Sequence, residues 1–537
     1  EATGTITFGT NGFVITSGAG NILIQADVDV DGTGDLAFTN VGTAGGERVR
    51  TTGTGTIQLR GENVVTENFS AKTTSGKIEI LAGEVYSNSA ADDNFDLSAA
   101  SFDIEAKGAG IGQSGGNVVN TLELISSGQV DAKAGGAIHI TSVTLNALKV
   151  GLIDAGTNNV TLFGDTGITD DVSGIGSDAA TDVIATTLTI NDGSAGPAGN
   201  ITLDTAVTDA NLNGGTISIH DEDDIIINGI SASSLEIQGS GSITDAAGAS
   251  ITVTGLTKLN SSTNDAITLD GTVTLGTLTV DGGAVSITEA DGVELSGTSS
   301  ASSLSLATTT GGITDATGSI LTVTNNASFD AVDDSAITLD GTLNLGSLTF
   351  DGGAVTISEA GGMDVTGVNE ATTLTLVAPG TASTDSINVN SNSKITANSA
   401  NLYAAGSVTV GNSAQLTMSE ETGLWFSTKY DNGAVSGVYT SSGTISISQS
   451  STIAGGLIIA EYGKQLLNID SKSRIRVASA DQVVDYFNAL EPSLEVADQW
   501  DATDAGALQA SIGLGVITLD TGERANVEVE EEEEEEK

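Results

Sequence analysis

The stretch DVDVDGTGD sets Asp27, Asp29, Asp31 and Asp35 at metal-ligand spacing. On a strand the first three share one face, where their mutual repulsion invites Ca²⁺, a cation that prefers oxygen ligands. The spacing matches the opening of a helix–loop–helix calcium loop, but Phe38 holds the place of its closing Glu. The same residues also read as a solvated acidic face. HDEDD (His220–Asp224) and ADDNFD (Ala91–Asp96) pose the same choice. Calcium at Asp27, Asp29, Asp31 and Asp35 is therefore one expectation and plain solvation the other.

Catalytic constellations are scarce. His139 and His220 are the only imidazoles, there is no Cys, and neither His has a second His nearby. A zinc site or a Ser-His-Asp triad thus has no sequence support. In AIHIT, alternation points His139 outward between Ile138 and Ile140. Acid pairs are everywhere, so pairing alone is no glycosidase signal. An enzyme acting on acidic polysaccharide needs Lys or Arg, yet Lys258 is the only cation between Lys149 and Lys394. No aromatic residue lies from Gly164 to Ser328 to offer a sugar platform. The expectation is a non-enzymatic protein, with a polysaccharide-active enzyme as the minor alternative.

Seventy acidic against seventeen basic residues give a formal charge of −53. Phosphate neutralisation needs Lys and Arg, so nucleic acid is excluded as a partner. No run of eighteen apolar residues occurs, so no transmembrane helix is expected. The chain begins EATGTITFG, with neither Met nor a signal sequence, and is read as an exported chain whose leader is absent.

The elements that position these residues are strands. Ala266–Gly297 recurs at Ala336–Gly367, seventy residues on, with about two thirds of positions identical. A blurred copy lies upstream: GGTISI at Gly214–Ile219 matches GGAVSI at Gly282–Ile287. Within a copy the period is two, Ile267, Leu269, Val273 and Leu275 alternating with Thr. At Gly276 the phase slips by one, which reads as a corner or bulge. Asp270, Asp281, Asp340 and Asp351 each precede Gly and read as turns. Short strands, small corners and few aromatics suit a thin laminar core. They predict an all-β, parallel β-helix, with roughly three coils of about 20–25 residues per repeat, stacked about 4.8 Å apart. An array of β-sandwich modules is the competing fold.

AITLDGTVTLGTLTVDGGAVSITEA followed by SSLSLATTTGGITDATGSILTV resembles the β-strand repeats of filamentous-haemagglutinin-like bacterial surface proteins. The resemblance covers about Val150 to Gly411 well and the N-terminal part loosely. It implies right-handed parallel β-helices, export and a cell-surface location. The secretion cap with Asn-Pro loops that such proteins carry near the N-terminus is not found here.

Residues 1–110 read as a strand-rich, aromatic cap or first coils, 111–411 as the repeat solenoid and 412–478 as an aromatic-richer strand region. Residues 479–537 read as a C-terminal cap and acidic tail. SADQVVDYFNALEP (Ser479–Pro492) has a helical face in Val483, Val484, Phe487 and Leu490, and a helix there covers the open last coil. TGTITFGTNGFVITSG (Thr3–Gly18) is apolar and uncharged, a strand fit to add to a neighbour's edge. Together these predict an extracellular structural subunit of a filament, sheath or matrix, self-associating head to tail through Thr3–Gly18. A rod-like adhesin displaying a binding tip is the alternative.

Overall fold

A computed structural model describes residues 19–419 apart from 27–33, 39–47, 89–94, 113–120, 144–145, 165, 171–179, 192–198, 333 and 380–383. Outside that span it describes residues 2, 4–9 and 14–16, and the strands between 424 and 477. Every described element is a strand. The helix read at Ser479–Pro492, and the acidic tail, lie outside the described residues. The chain divides into two compact units, Glu1–Gly276 and Thr277–Lys537.

In the first unit, period-two alternation becomes a stack of inward-facing columns. Ile22, Ile57, Ile78, Phe102, Val130 and Val150 pair in register from one strand to the next. All six are buried, and their neighbours along each strand turn outward. Ser101–Ala106 shows the pattern plainly, with Phe102, Ile104 and Ala106 inside and Asp103 outside. Among the described residues every strand pairing in the unit is parallel, each strand meeting another about 16–35 residues away. Parallel ladders at coil-length separation make a β-solenoid; β-sandwich modules would pair antiparallel neighbours.

The second unit repeats this architecture; the central strand of one close copy, Thr272–Glu289, crosses the boundary between the units, and that of the other, Thr342–Ser358, lies wholly in the second. Strand Thr342–Ser358 runs unbroken across three faces of its coil. Its Leu343 pairs with Leu321, its Leu348 with Ala327, and its Val355 with Ile337. Phe329 and Phe350 pair in register and are both buried. Asp351 and Asp281 are therefore not in turns, as their Asp-Gly sequences suggest. Both sit inside continuous strands, where Gly-Gly lets the strand bend around a corner without leaving the ladder.

Gly346 shows why the phase slips. A β-carbon there would lie 2.2 Å from the Thr324 carbonyl oxygen of the coil beneath. Its counterpart Gly276 stands 2.5 Å from the Thr254 oxygen in the same sense. The slip is a corner stacked too closely for any side chain.

The repeat is not a whole number of coils. Leu278 pairs with Leu295, in the column that continues through Val293, Ile313, Ile337 and Val355. Its counterpart Leu348 lies instead in the column Val285, Leu304, Ala327, Leu348. Counterparts thus exchange faces: Leu278 shares one with Val355, and Val285 shares another with Leu348. Coils here take 17 to 24 residues (278 to 295, 313 to 337). Because the two columns exchange, seventy residues advance the stack by about three and a half coils, not by the three full coils expected from length.

Candidate functional site

Three carboxylates of the first unit converge behind the surface. Asp170 closes the strand Gly167–Asp170, Asp182 precedes Val183–Asn191, and Asp204 lies within Asn200–Asn213. Each offers an oxygen within 4.8 Å of the others, and all three are buried. Backbone pairing fixes them: the Asp182 N–H donates to the Asp204 carbonyl at 2.7 Å, and the Asp204 N–H to Asp182 Oδ2 at 2.8 Å. His220 Nδ1 lies 3.0 Å from Asp204 Oδ1 on the next strand. Chemically this is an all-oxygen set suited to a hard cation such as Ca²⁺. Ile168 and Asp170 share an inward phase, a signal in the sequence, but Asp182 and Asp204 reach the group only through coil stacking.

Of the four aspartates at calcium spacing, Asp27, Asp29 and Asp31 lie outside the described residues. Asp35 accepts a hydrogen bond from Asn63 Nδ2 at 2.9 Å, and its backbone N–H donates to Thr5 Oγ1. In HDEDD, Asp221 is buried while Glu222, Asp223 and Asp224 are exposed. Asp224 Oδ1 takes both the N–H and the hydroxyl of Ser242, and these bonds hold its carboxyl below the usual range.

His139 departs from the outward position that alternation assigns. It is 4% exposed, with Ile138 and Ile140 on either side also buried, so strand Ile138–Ser142 is covered on both faces. Among the described residues neither ring nitrogen has a hydrogen-bond partner. Burial alone lowers its pKa. A base kept neutral in the fold but free to protonate when unfolded withdraws stability as pH falls below the ordinary imidazole value. His139→Leu is therefore expected to stabilise the protein by about 1–2 kcal/mol, and more at about pH 5 than at about pH 8. Denaturation midpoints at the two pH values check this; a variant less stable than wild type at the lower pH contradicts it.

A recurrent polar framework went unread in the sequence. Asp245 takes the N–H groups of Asp270 and Gly271 at 2.9 and 2.7 Å. Seventy residues on, Asp315 takes those of Asp340 and Gly341 at 3.0 and 2.8 Å. These Asp-Gly turns are thus clamped by an aspartate of the preceding coil. Asp221, Glu289 and Glu359 form a second set, one per copy, each seven residues beyond the first glycine of a Gly-Gly pair and each buried. Asp221 accepts from Thr205 Oγ1, the Val207 N–H and the Asp223 N–H, Glu289 from the Asp291 N–H, and Glu359 from the Leu345 N–H. Burial, opposed by those bonds, lifts Asp221 to about 6 and Glu359 to about 7. The signal was present: Val285, Ile287 and Glu289 share one phase, as do Ile217, Ile219 and Asp221.

On the outside of the second unit, Asp330, Asp351 and Glu370 stack in register, and Asp351 and Glu370 line a cavity of about 240 Å³ with Asp334, Thr396 and Asn398. Burial first, then the neighbouring Asp330, Glu370 and Asp334, raises the pKa of Asp351.

Residues 214–281 and 282–347 each match the family model described as "Repeats of unknown function (DUF5649)", together about a quarter of the chain. No curated protein and no solved structure matches the chain. The matched segments begin at Gly214 and Gly282, where the two GG-led strands read from the sequence begin, so the chain is a β-repeat protein whose unit is the one that places a buried acid.

Proposed function

We propose that the chain is a non-enzymatic, exported structural protein, a subunit of a cell-surface filament, sheath or matrix. The observation that carries this reading is the first layer of the stack. Strands Ile6–Phe8, Val14–Thr16 and Ile22–Gln25 pair in parallel with strands of the following coil, and the Gln25 carbonyl accepts the Ala2 N–H on its other side. A stack of short parallel strands is extended by adding a strand from another chain to its edge, and an end-to-end joint that does not close gives a filament. The charge of −53 opposes sideways clumping and leaves growth along one axis. The reading is also supported by the resemblance of the repeat sequences to those of filamentous-haemagglutinin-like surface proteins, which favours a location outside the cell. Among the described residues no helix is long and apolar enough to cross a membrane.

Electron microscopy and sedimentation of the full chain and of a version lacking residues 1–18 test the reading. Filaments from the full chain and monomers from the truncated one are expected. Identical filaments from both remove Thr3–Gly18 as the joint. A full chain that stays monomeric at high concentration, with and without Ca²⁺, overturns the proposal.

A further inference from the structure

The acids Asp221, Glu289 and Glu359 occupy the same place in three successive copies, yet a buried carboxylate is among the costliest groups a core can hold. Glu359 is the most exposed to that cost. It is 2% accessible, Oε1 accepts the Leu345 N–H at 2.6 Å, and among the described residues Oε2 has no partner. The groups packed around it supply no cation. Strand Met363–Val365 contributes Asp364, and Asp385 of the next coil takes the N–H of Gly361, two residues from Glu359. Strand Val368–Ala378 offers the Val377 carbonyl, which accepts the Glu359 N–H, and strand Ile337–Leu339 has no titratable side chain. A neutral carboxyl suits this place better than a charged one.

We propose that this repeated acid makes the solenoid fold proton-stabilised, the second unit taking up a proton at Glu359 as it folds and tightening in mildly acidic surroundings. This proton uptake is independent of polymerisation. Its sign is opposite to ordinary acid denaturation, in which paired carboxylates lose stability as they protonate. Glu359 has a folded value of about 7 against 4.5 for the free group. The unfolded chain therefore releases its proton first as pH rises, and stability falls from about 4.5 upward until the folded group also ionises near 7. Asp221, with three donors on its carboxylate, is held to about 6 and adds a smaller effect in the first unit.

Glu359→Gln keeps the shape and the acceptor for Leu345 while removing the titration. Comparing wild type with the variant cancels His139 and every other titrating group. The ratio of their folding equilibrium constants is expected to shift by about thirtyfold between pH 5.5 and 8.5, the variant gaining as pH rises. A ratio constant within about threefold overturns the proposal. A second readout needs no unfolding: carbon NMR of protein labelled at the Glu side-chain carboxyls. One resonance titrating near neutrality, and lost in Glu359→Gln, is expected; wild type with every Glu carboxyl titrating below about pH 5.5 overturns it.

Discussion

Asn369→Ala is expected to destabilise the second unit by about 3–5 kcal/mol. The side chain is fully buried and joins three coils. Its Oδ1 accepts the Phe350 N–H of the coil beneath at 2.9 Å. Its Nδ2 donates to the Thr366 carbonyl at 2.9 Å and to the Lys394 carbonyl of the coil above at 3.2 Å. Alanine strands all three backbone groups away from water, and each orphan costs about 1–3 kcal/mol. The preceding copy supplies an internal comparison. There Ser299 stands at the equivalent position and its hydroxyl takes the Val280 N–H at 3.1 Å. Asn369→Ser should keep the lower bond and forfeit the upper one, losing roughly half as much. Urea midpoints of the two variants decide it; equal losses would show that the reach to Lys394 contributes nothing.

Gly346→Ala should rival it, at about 3–5 kcal/mol, although it adds one methyl group. The new carbon would meet the Thr324 oxygen at 2.2 Å and the Asn325 oxygen at 2.5 Å. Both are backbone atoms of a strand held in register on either side, so neither can swing away as a side chain would. Relief requires lifting one coil from the next and breaking ladder bonds. At Gly108 the added carbon meets nothing nearer than the Gly83 oxygen, at 3.6 Å, and Gly108→Ala should pass almost unnoticed. Thermal melting with limited proteolysis separates the two. A Gly346→Ala protein within about 1 kcal/mol of wild type would mean that the corner is not closely stacked.

How much of this was legible follows from what each feature depends on. The strands and their facing were readable because alternation is local: Ile267, Thr268 and Leu269 report their sides without reference to any other coil. Gly276 was readable as a corner for the same reason, since the slip in phase is visible within ten residues. The rotation between copies was not, because coil length varies with corner loops and only the pairing shows where each copy lands. His139 was misread because alternation assumes an uncovered outer face, and its strand has none. Asp245 and Asp315 were invisible because an Asp that clamps a turn in the next coil looks like any exposed Asp. Glu289 and Glu359 were legible but overlooked, their phase with Val285 and Val355 already placing them inside. The trio Asp170, Asp182 and Asp204 needed three coils to be superposed before it existed at all.

The fractional advance of the repeat has a consequence for how such a chain changes by duplication. Losing one seventy-residue copy would not merely shorten the second unit. Within that unit, the coils beyond the excision would swing by about half a revolution about the stacking direction, so a feature that faced one way would face the opposite way. A change of two copies together restores the original bearing. Repeat number therefore acts as a compass setting as well as a ruler. A gain or loss of copies, the commonest accident in repetitive genes, redirects whatever the far end presents.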